Sequence, residues 1–157
     1  MNPRLYLETT IPSYLVARRS RDLRLSADQE TTQQWWEAER QDFLLFTSAT
    51  VLKEVRCGDP TYAAARVAWL AGIPLLGDLP EANELAKRLL RDGIIPAVAV
   101  DDATHVALAA AHQMDFLLTW NCKHINNHNI RTRIHRACEA VGLMSPDICT
   151  PAELMKL

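Results

Sequence analysis

The sequence predicts an α/β fold, a three-layer α/β/α sandwich with a central, mainly parallel sheet of about five strands. Short apolar runs of strand length alternate along the chain with longer segments whose apolar residues recur every three to four positions. This alternation is typical of parallel strands joined by crossover helices that cover both faces of the sheet. The chain has 157 residues, of which 48% are hydrophobic and 23% charged. We therefore expect residues 1–157 to form one domain with a sizeable core.

The predicted strands are short apolar runs bounded by polar or turn-forming residues. Their length suits strands that are buried between two layers of helices. The five runs are residues 4–8 (RLYLE), 44–48 (LLFTS), 73–77 (IPLLG), 116–120 (FLLTW) and 147–150 (DICT).

The predicted helices are marked by capping residues and by apolar residues at helical spacing. Ser48 is placed as an N-cap just after the second strand, and Gly58 ends the segment that follows. Thr150 is placed as the N-cap of the last helix, with Pro151 in its first turn. The predicted helical segments are 27–41, 48–59, 59–72, 80–93, 101–113, 131–142 and 150–157.

The charge of the chain limits how it can bind nucleic acid. A net charge of −2 excludes an overall basic field of the kind that attracts nucleic acid without regard to sequence. Any such contact is therefore expected to be local. Arginines cluster in residues 18–24 and 131–136, and each cluster has two interpretations, a solvated helix face or a local contact surface.

The cysteines show no CxxC pair and no zinc-like spacing, so we expect them to be reduced and mostly buried. They are Cys57, Cys122, Cys138 and Cys149. The first residues do not form a basic-then-apolar signal peptide, and no stretch reaches the roughly 18 apolar residues of a membrane span. We therefore expect a cytoplasmic protein with no membrane partner.

Polar residues fall where predicted strands end and helices begin, which is the edge at which parallel sheets form their sites. Glu8 ends the first strand, and Asn121 follows the fourth. Asp102 lies in the first turn of an Ala-rich helix, and Glu54 lies in the helix after the second strand. We expect these four side chains to lie at one edge of the sheet.

Each of these residues also has an interpretation without chemistry. Asp101 or Asp102 could cap a helix and complement its dipole. Asn121 could be a turn residue, and Glu54 could be an exposed helical carboxylate beside Lys53.

In combination, the acids favour a metal site. Carboxylates gathered at one sheet edge repel each other, and a divalent cation neutralises that repulsion. Oxygen ligands without histidine or cysteine suit hard cations, here Mg²⁺ or Mn²⁺. The chemistry implied is metal-assisted phosphodiester hydrolysis.

The order of these segments resembles the PIN-domain family, the fold of the VapC-type toxins of bacterial and archaeal toxin–antitoxin pairs. The resemblance covers most of the chain and rests on YLETT (6–10), VLKEVRCGD (51–59) and DDATHVALAAAHQMDFLLTWN (101–121). The last segment is the most specific, because it joins an acid, an Ala-rich helix and a strand that ends in Thr before a polar residue.

The resemblance implies a set of catalytic, metal-ligating residues and a few supporting ones. The positions that match the family's acids are Glu8, Glu54, Asp102 and Asn121. Thr9 matches the hydroxyl residue that orders the first acid, and Thr119 matches the hydroxyl at the strand end. Asp101 is then a supporting neighbour or a cap.

Two positions depart from the family's pattern. Glu8 and Asn121 both stand where Asp is typical. Glu8 has one more methylene, and Asn121 keeps an oxygen ligand but loses a charge. Since Mg²⁺ needs only one or two protein carboxylates, the remaining acids predict weaker metal binding rather than none.

The segment after the fourth strand, residues 119–133, is rich in amide, histidine and basic side chains. It is either an ordinary loop or a rim that contacts RNA, since Lys, Arg, His and Asn are common donors to phosphate and sugar. The RNA contacts predicted here are Lys123, His124 and Arg131.

His105 and the tryptophans also have two interpretations each. His105, three residues after Asp102, is either a supporting residue that orients the carboxylate or a core histidine. Trp120 either packs or stacks on a base. Core or dimer packing is expected for Trp35, Trp36 and Trp69.

Two functions follow from these patterns. The first is a divalent-metal-dependent endoribonuclease of PIN/VapC type, for which the resemblance implies the role of toxin in a type II pair, an RNA substrate, a small antitoxin partner and a homodimer. The alternative is a catalytically weakened or inactive PIN-fold module that binds RNA or a protein partner. A nucleotide-binding protein is disfavoured, because the sequence has neither a GxGxxG turn nor a phosphate loop.

Overall fold

The computed structural model describes residues 1–156 and has one sheet of five strands in the order β3-β2-β1-β4-β5. The strands are β1 (Arg4–Leu7), β2 (Leu44–Ser48), β3 (Leu75–Leu76), β4 (Phe116–Leu118) and β5 (Asp147–Cys149). Every pairing is parallel, and Tyr6 lies opposite Phe46 on one side and Leu117 on the other. The predicted fold class is therefore confirmed.

The central strand β1 is buried on both faces. Leu5, Tyr6 and Leu7 are each 0% exposed. A strand covered by helices on both sides needs apolar residues at successive positions, which is why this stretch lacks the alternation of a half-exposed strand.

Helices flank the sheet on both faces. The chain moves from β1 outward to β2 and β3, and then returns past β1 to β4 and β5. Right-handed crossovers in opposite directions place α1 to α4 on one face and α5 to α7 on the other. The helices are α1 (Thr10–Val16), α2 (Leu23–Ala38), α3 (Ala49–Val55), α4 (Pro60–Trp69), α5 (Pro80–Arg91), α6 (Val100–Ala111), α7 (His128–Ala140) and α8 (Pro151–Leu154). Within residues 1–156, every helix is too short or too polar to cross a membrane.

The predicted caps at Ser48 and Thr150 are confirmed. The Ser48 hydroxyl accepts a hydrogen bond from the Val51 N–H at 3.2 Å, at the start of α3. Thr150 forms a capping box with Glu153, and Pro151 occupies the first turn of α8. Both caps satisfy backbone amides that the helix itself leaves free.

Several local predictions are wrong in detail, among them the start of α7, which is His128 rather than 131. Helix α1 is missing from the prediction, because TIPSYLV is rich in residues that favour strands. Helix α2 begins at Leu23 rather than 27, since Asp22 caps it by accepting from the Leu25 N–H at 2.9 Å. β3 has two residues rather than five.

The cysteines are all free, but only half of them are buried. Cys138 and Cys149 lie in the core, as expected. Cys57 and Cys122 are exposed, because Cys57 follows the end of α3 and Cys122 lies in the loop after β4.

Candidate active site

The order of the strands reverses between β1 and β4. In parallel sheets the carboxyl ends of strands at such a switch point form the usual binding crevice. Glu8 follows β1 directly, and its N–H continues the ladder by donating to the Leu118 carbonyl at 3.2 Å. Thr119 follows β4 at the same edge.

Glu8 is buried, and its carboxylate is held by hydroxyl and amide donors. The side chain is 2% exposed. Its Oε1 accepts from the Thr10 hydroxyl at 2.5 Å, the Thr10 N–H at 3.1 Å and the Thr119 hydroxyl at 2.6 Å. Burial raises the pKa of Glu8, against the opposing effects of His105 and of these hydrogen bonds.

The structure corrects the partner predicted for Thr9. The sequence places Thr9 beside Glu8, but the Thr9 hydroxyl donates to Glu54 Oε1 at 2.7 Å. Thr10 holds Glu8 instead, because the chain turns into α1 after Glu8 and brings the Thr10 amide and hydroxyl back onto its carboxylate.

Glu54, on α3, is held by His105 as well as by Thr9. His105 Nε2 donates to Glu54 Oε1 at 2.5 Å. Partial burial raises the pKa of Glu54, but the hydrogen bond and charge of His105 outweigh burial, and the pKa lies below its ordinary value. Glu54 is therefore a paired carboxylate rather than a free helical one.

His105 connects Glu54 to the core of the protein. The ring is 0% exposed, and its Nδ1 lies 2.7 Å from the Tyr6 hydroxyl, which lies 2.7 Å from Ser48 Oγ. Burial lowers the pKa of His105, but the carboxylate of Glu54 and the charge of Glu8 raise it further, so the net shift is upward. The two carboxylates therefore favour the protonated form of His105 against the effect of burial.

Asp102 and Asp101 have separate partners. Asp102 Oδ2 lies 2.9 Å from His124 Nδ1, in the loop after β4. Asp101 Oδ1 accepts from Lys53 Nζ at 2.9 Å, in a pair that is largely exposed. His105, for which the sequence left open a contact with Asp102 or a place in the core, is buried in the core and contacts Glu54.

Asn121 supports the turn after β4. Its Oδ1 accepts from the His124 N–H at 3.0 Å, and its own N–H donates to the Thr119 hydroxyl at 2.9 Å. The hydroxyl of Thr119 therefore joins Asn121 to Glu8. The turn interpretation of Asn121 is correct, and an amide oxygen with two lone pairs can still accept a further partner.

An open pocket of about 320 Å³ brings together Glu54 and Asp102, two of the predicted metal ligands, and the supporting Asp101. It is lined by Glu54, Val98, Ala99, Val100, Asp101, Asp102 and His124. Glu8 lies outside this lining and joins the pocket through the hydrogen bonds described above. Within residues 1–156, no three His, Cys, Asp or Glu side chains are arranged as a ready metal cluster.

The predicted RNA contacts differ in exposure and in whether their side chains already have partners. Lys123 is exposed, and His124 lines the pocket. Arg131 Nη1 donates to Asn126 Oδ1 at 3.0 Å and to Glu153 Oε2 at 3.2 Å, which ties α7 to α8. Trp120 stacks on Tyr14 with 5.5 Å between ring centroids, so its ring is already packed.

Sequence reasoning missed three residues of the site. Thr10 binds Glu8, and Tyr6 and Ser48 complete the chain of hydrogen bonds behind His105. The second threonine of YLETT was a local signal for Thr10. For Tyr6 and Ser48 no local signal existed, since both also suit a strand and a cap.

Comparison with known proteins supports the fold. No protein-family model and no curated protein sequence matches the chain. Among solved structures, the chain is similar to the crystal structure of VapBC2 from Rickettsia felis bound to a DNA fragment from their promoter, with a TM-score of 0.58 and 15% identity. The match covers 93% of this chain and 97% of that one. At this identity the likeness shows a shared PIN-like fold.

Proposed function

We propose that this chain is a divalent-metal-dependent endoribonuclease of PIN/VapC type that hydrolyses RNA phosphodiester bonds. The observation that carries the proposal is the meeting of Glu54 and Asp102 in one open pocket at the β1–β4 switch point. Glu8, which is buried after the end of β1, would be a third carboxylate of the site.

Mg²⁺ or Mn²⁺ fits the donors of this pocket. Glu54 and Asp102 supply carboxylate oxygens, and Mg²⁺ is commonly held by one or two carboxylates, waters and substrate phosphates. The hydrogen bonds to these side chains fall on Glu54 Oε1 and Asp102 Oδ2, so that Oε2 and Oδ1 are the oxygens offered to a cation. Glu8 and Asn121 would support the site. When bound, the cation would polarise the scissile phosphate and lower the pKa of a water.

The chain's own side chains would set the geometry of the site. Thr9 and His105 hold Glu54 in one orientation. At the rim, His124 and Lys123 would contact a phosphate of the bound RNA.

RNA cleavage tests this proposal. The purified protein is incubated with labelled RNA in Mn²⁺, in Mg²⁺ and in EDTA. We expect cleavage with metal only, and a loss of at least about 100-fold in Asp102→Ala, because a ligand is removed. Asp42→Ala is the matched control, since Asp42 is exposed near the opposite edge of the sheet. Equal cleavage by Asp102→Ala and the unchanged protein would refute the assignment.

A second candidate is a PIN-fold module that binds RNA or a protein without cutting. The contacts of Glu54 with His105 and of Asp102 with His124 favour it, because both acids already have a side-chain partner within the protein. Melting temperature separates the two functions. A metal-dependent rise that disappears in Asp102→Ala supports the nuclease, since ligands stabilise the state that binds them; no rise supports the module.

We extend the proposal to partners. The likeness to VapBC2 supports a role as the toxin of a type II toxin–antitoxin pair with a small antitoxin. We propose in addition that the chain acts in the cytoplasm and self-associates as a homodimer. Co-expression with the product of the adjacent open reading frame, followed by light scattering, tests both contacts. A chain that stays monomeric and cleaves RNA equally with and without that product would contradict this extension.

A further inference from the structure

Two arginines of α7, Arg133 and Arg136, line a groove that the proposed chemistry does not use. The groove, of about 250 Å³, is lined by Arg88, Asp92, Ile94, Arg133, Arg136 and Ala137. It runs between the last turn of α5 and the middle of α7.

The groove carries an excess of positive charge. Asp92 is its one acidic lining residue among residues 1–156, and it already lies 3.6 Å from the Arg88 Nε and 3.3 Å from the Arg91 Nε. Arg133 donates to the Asp92 backbone carbonyl at 3.3 Å, and within residues 1–156 its guanidinium has no carboxylate partner. Arg133 and Arg136 are both exposed.

One short segment joins the groove to the acidic pocket. Ile94 lines the groove, and Val98 lines the pocket with Glu54 and Asp102. Four residues of extended chain span at most about 14 Å. A strand of nucleic acid that enters the pocket therefore needs only a few more nucleotides to reach the groove.

We propose that this arginine groove binds the phosphate backbone of single-stranded RNA next to the acidic pocket, and so sets the length of RNA the protein needs. The inference rests on the proposed function, since that function identifies RNA as the ligand. Arginine binds phosphate through paired N–H donors, and such contacts position a strand without reading its sequence. In a chain of net charge −2, a cluster of four arginines around one acid is a local attraction for a polyanion.

Binding without cleavage tests the groove. Fluorescence anisotropy measures the affinity of labelled single-stranded RNA for Asp102→Ala protein in EDTA, across a range of salt. Adding Arg133→Gln and Arg136→Gln should weaken binding several-fold and reduce the slope of log affinity against log salt by about 1.4, since each phosphate contact contributes about 0.7 on a single strand. The melting temperature should stay unchanged, because both side chains are exposed.

The other arginine cluster provides the matched control. Arg21→Gln and Arg24→Gln remove the same charge from exposed positions around the start of α2, on the opposite face of the sheet. We expect them to leave the salt slope nearly unchanged. Equal losses in both double variants would overturn the groove in favour of diffuse attraction.

The remaining outcomes separate this proposal from the nuclease. Groove-dependent binding together with absent cleavage supports the groove and refutes the nuclease. If the protein cleaves RNA but the arginine changes leave RNA binding unaffected, the groove proposal is refuted and the nuclease proposal is not. If the arginine changes weaken the binding of an acidic peptide but not the binding of RNA, the groove binds a protein partner and the proposal is overturned.

Discussion

The buried part and the rim of the candidate site are stabilised in different ways. Glu8 and His105 are 2% and 0% exposed, and hydroxyl groups from three separate segments hold them. At the rim, the Asp102 and His124 side chains are 14% and 23% exposed, and the histidine belongs to a loop.

Because of this difference, we expect the buried part to position the acids and the rim to bind a ligand. A buried polar group without partners is costly, so the buried part is stable only as a complete hydrogen-bonded set. A partly solvated contact such as that of Asp102 with His124 contributes less to folding. The structure therefore favours the rim as the place where a ligand binds, while the buried part stays fixed.

His105→Ala is expected to have the largest effect on stability. It leaves a cavity and removes a partner from both Tyr6 and Glu54, so we expect a loss of about 3 kcal/mol in the free energy of unfolding. Urea denaturation in EDTA measures it. The rim control, His124→Ala, should cost less than about 1 kcal/mol. Similar losses of unfolding free energy in the two variants would contradict the distinction between the buried part and the rim.

Tyr6→Phe sharpens the same comparison with a single atom. Loss of the hydroxyl leaves His105 Nδ1 and the Ser48 hydroxyl without their shared partner, which should cost about 1–2 kcal/mol. The control is Tyr14→Phe, since Tyr14 contacts Trp120 through its ring and should lose less than about 0.5 kcal/mol. A loss in Tyr6→Phe no greater than in this control would show that the buried chain of hydrogen bonds does not stabilise the fold.

Glu8→Gln tests the charge in the buried part through pH. Because burial raises the pKa of Glu8 above 4.5, folding disfavours the ionised form, and stability falls as pH rises from 4.5 through the raised pKa. The amide keeps an oxygen acceptor for Thr10 and Thr119. We expect the variant to be more stable than the unchanged protein at pH 7, with no difference below pH 4. Thermal unfolding over this range measures it, and a variant less stable at pH 7 would contradict the sign.

Asp102→Ala should change stability least. Its partner His124 lies at the rim, so we expect a change in unfolding free energy below about 0.5 kcal/mol, while metal-dependent cleavage is lost. Chemical denaturation of the two proteins in EDTA is the measurement. A loss of several kcal/mol would place Asp102 in the buried part instead.

The fold was more predictable than the contacts of the site. Strands and caps depend on neighbours along the chain, so LLFTS and the Ser48 cap were found from a few residues. Helix α1 was not, because its local propensity favours a strand and packing at the end of β1 decided otherwise. Among the acids, Glu54 and Asp102 were expected at one edge, and they line one pocket.

The sequence by itself determined which residue types lie at the ends of β1 and β4, because strand length and helix starts are set by local patterns. The partners were decided by the tertiary structure alone. Thr9 meets Glu54 across 45 positions, and His105 meets Glu54 across 51. A hydrogen bond is made within about 3 Å, so the choice between Thr9 and Thr10, or between Glu54 and Asp102, depends on how the elements pack.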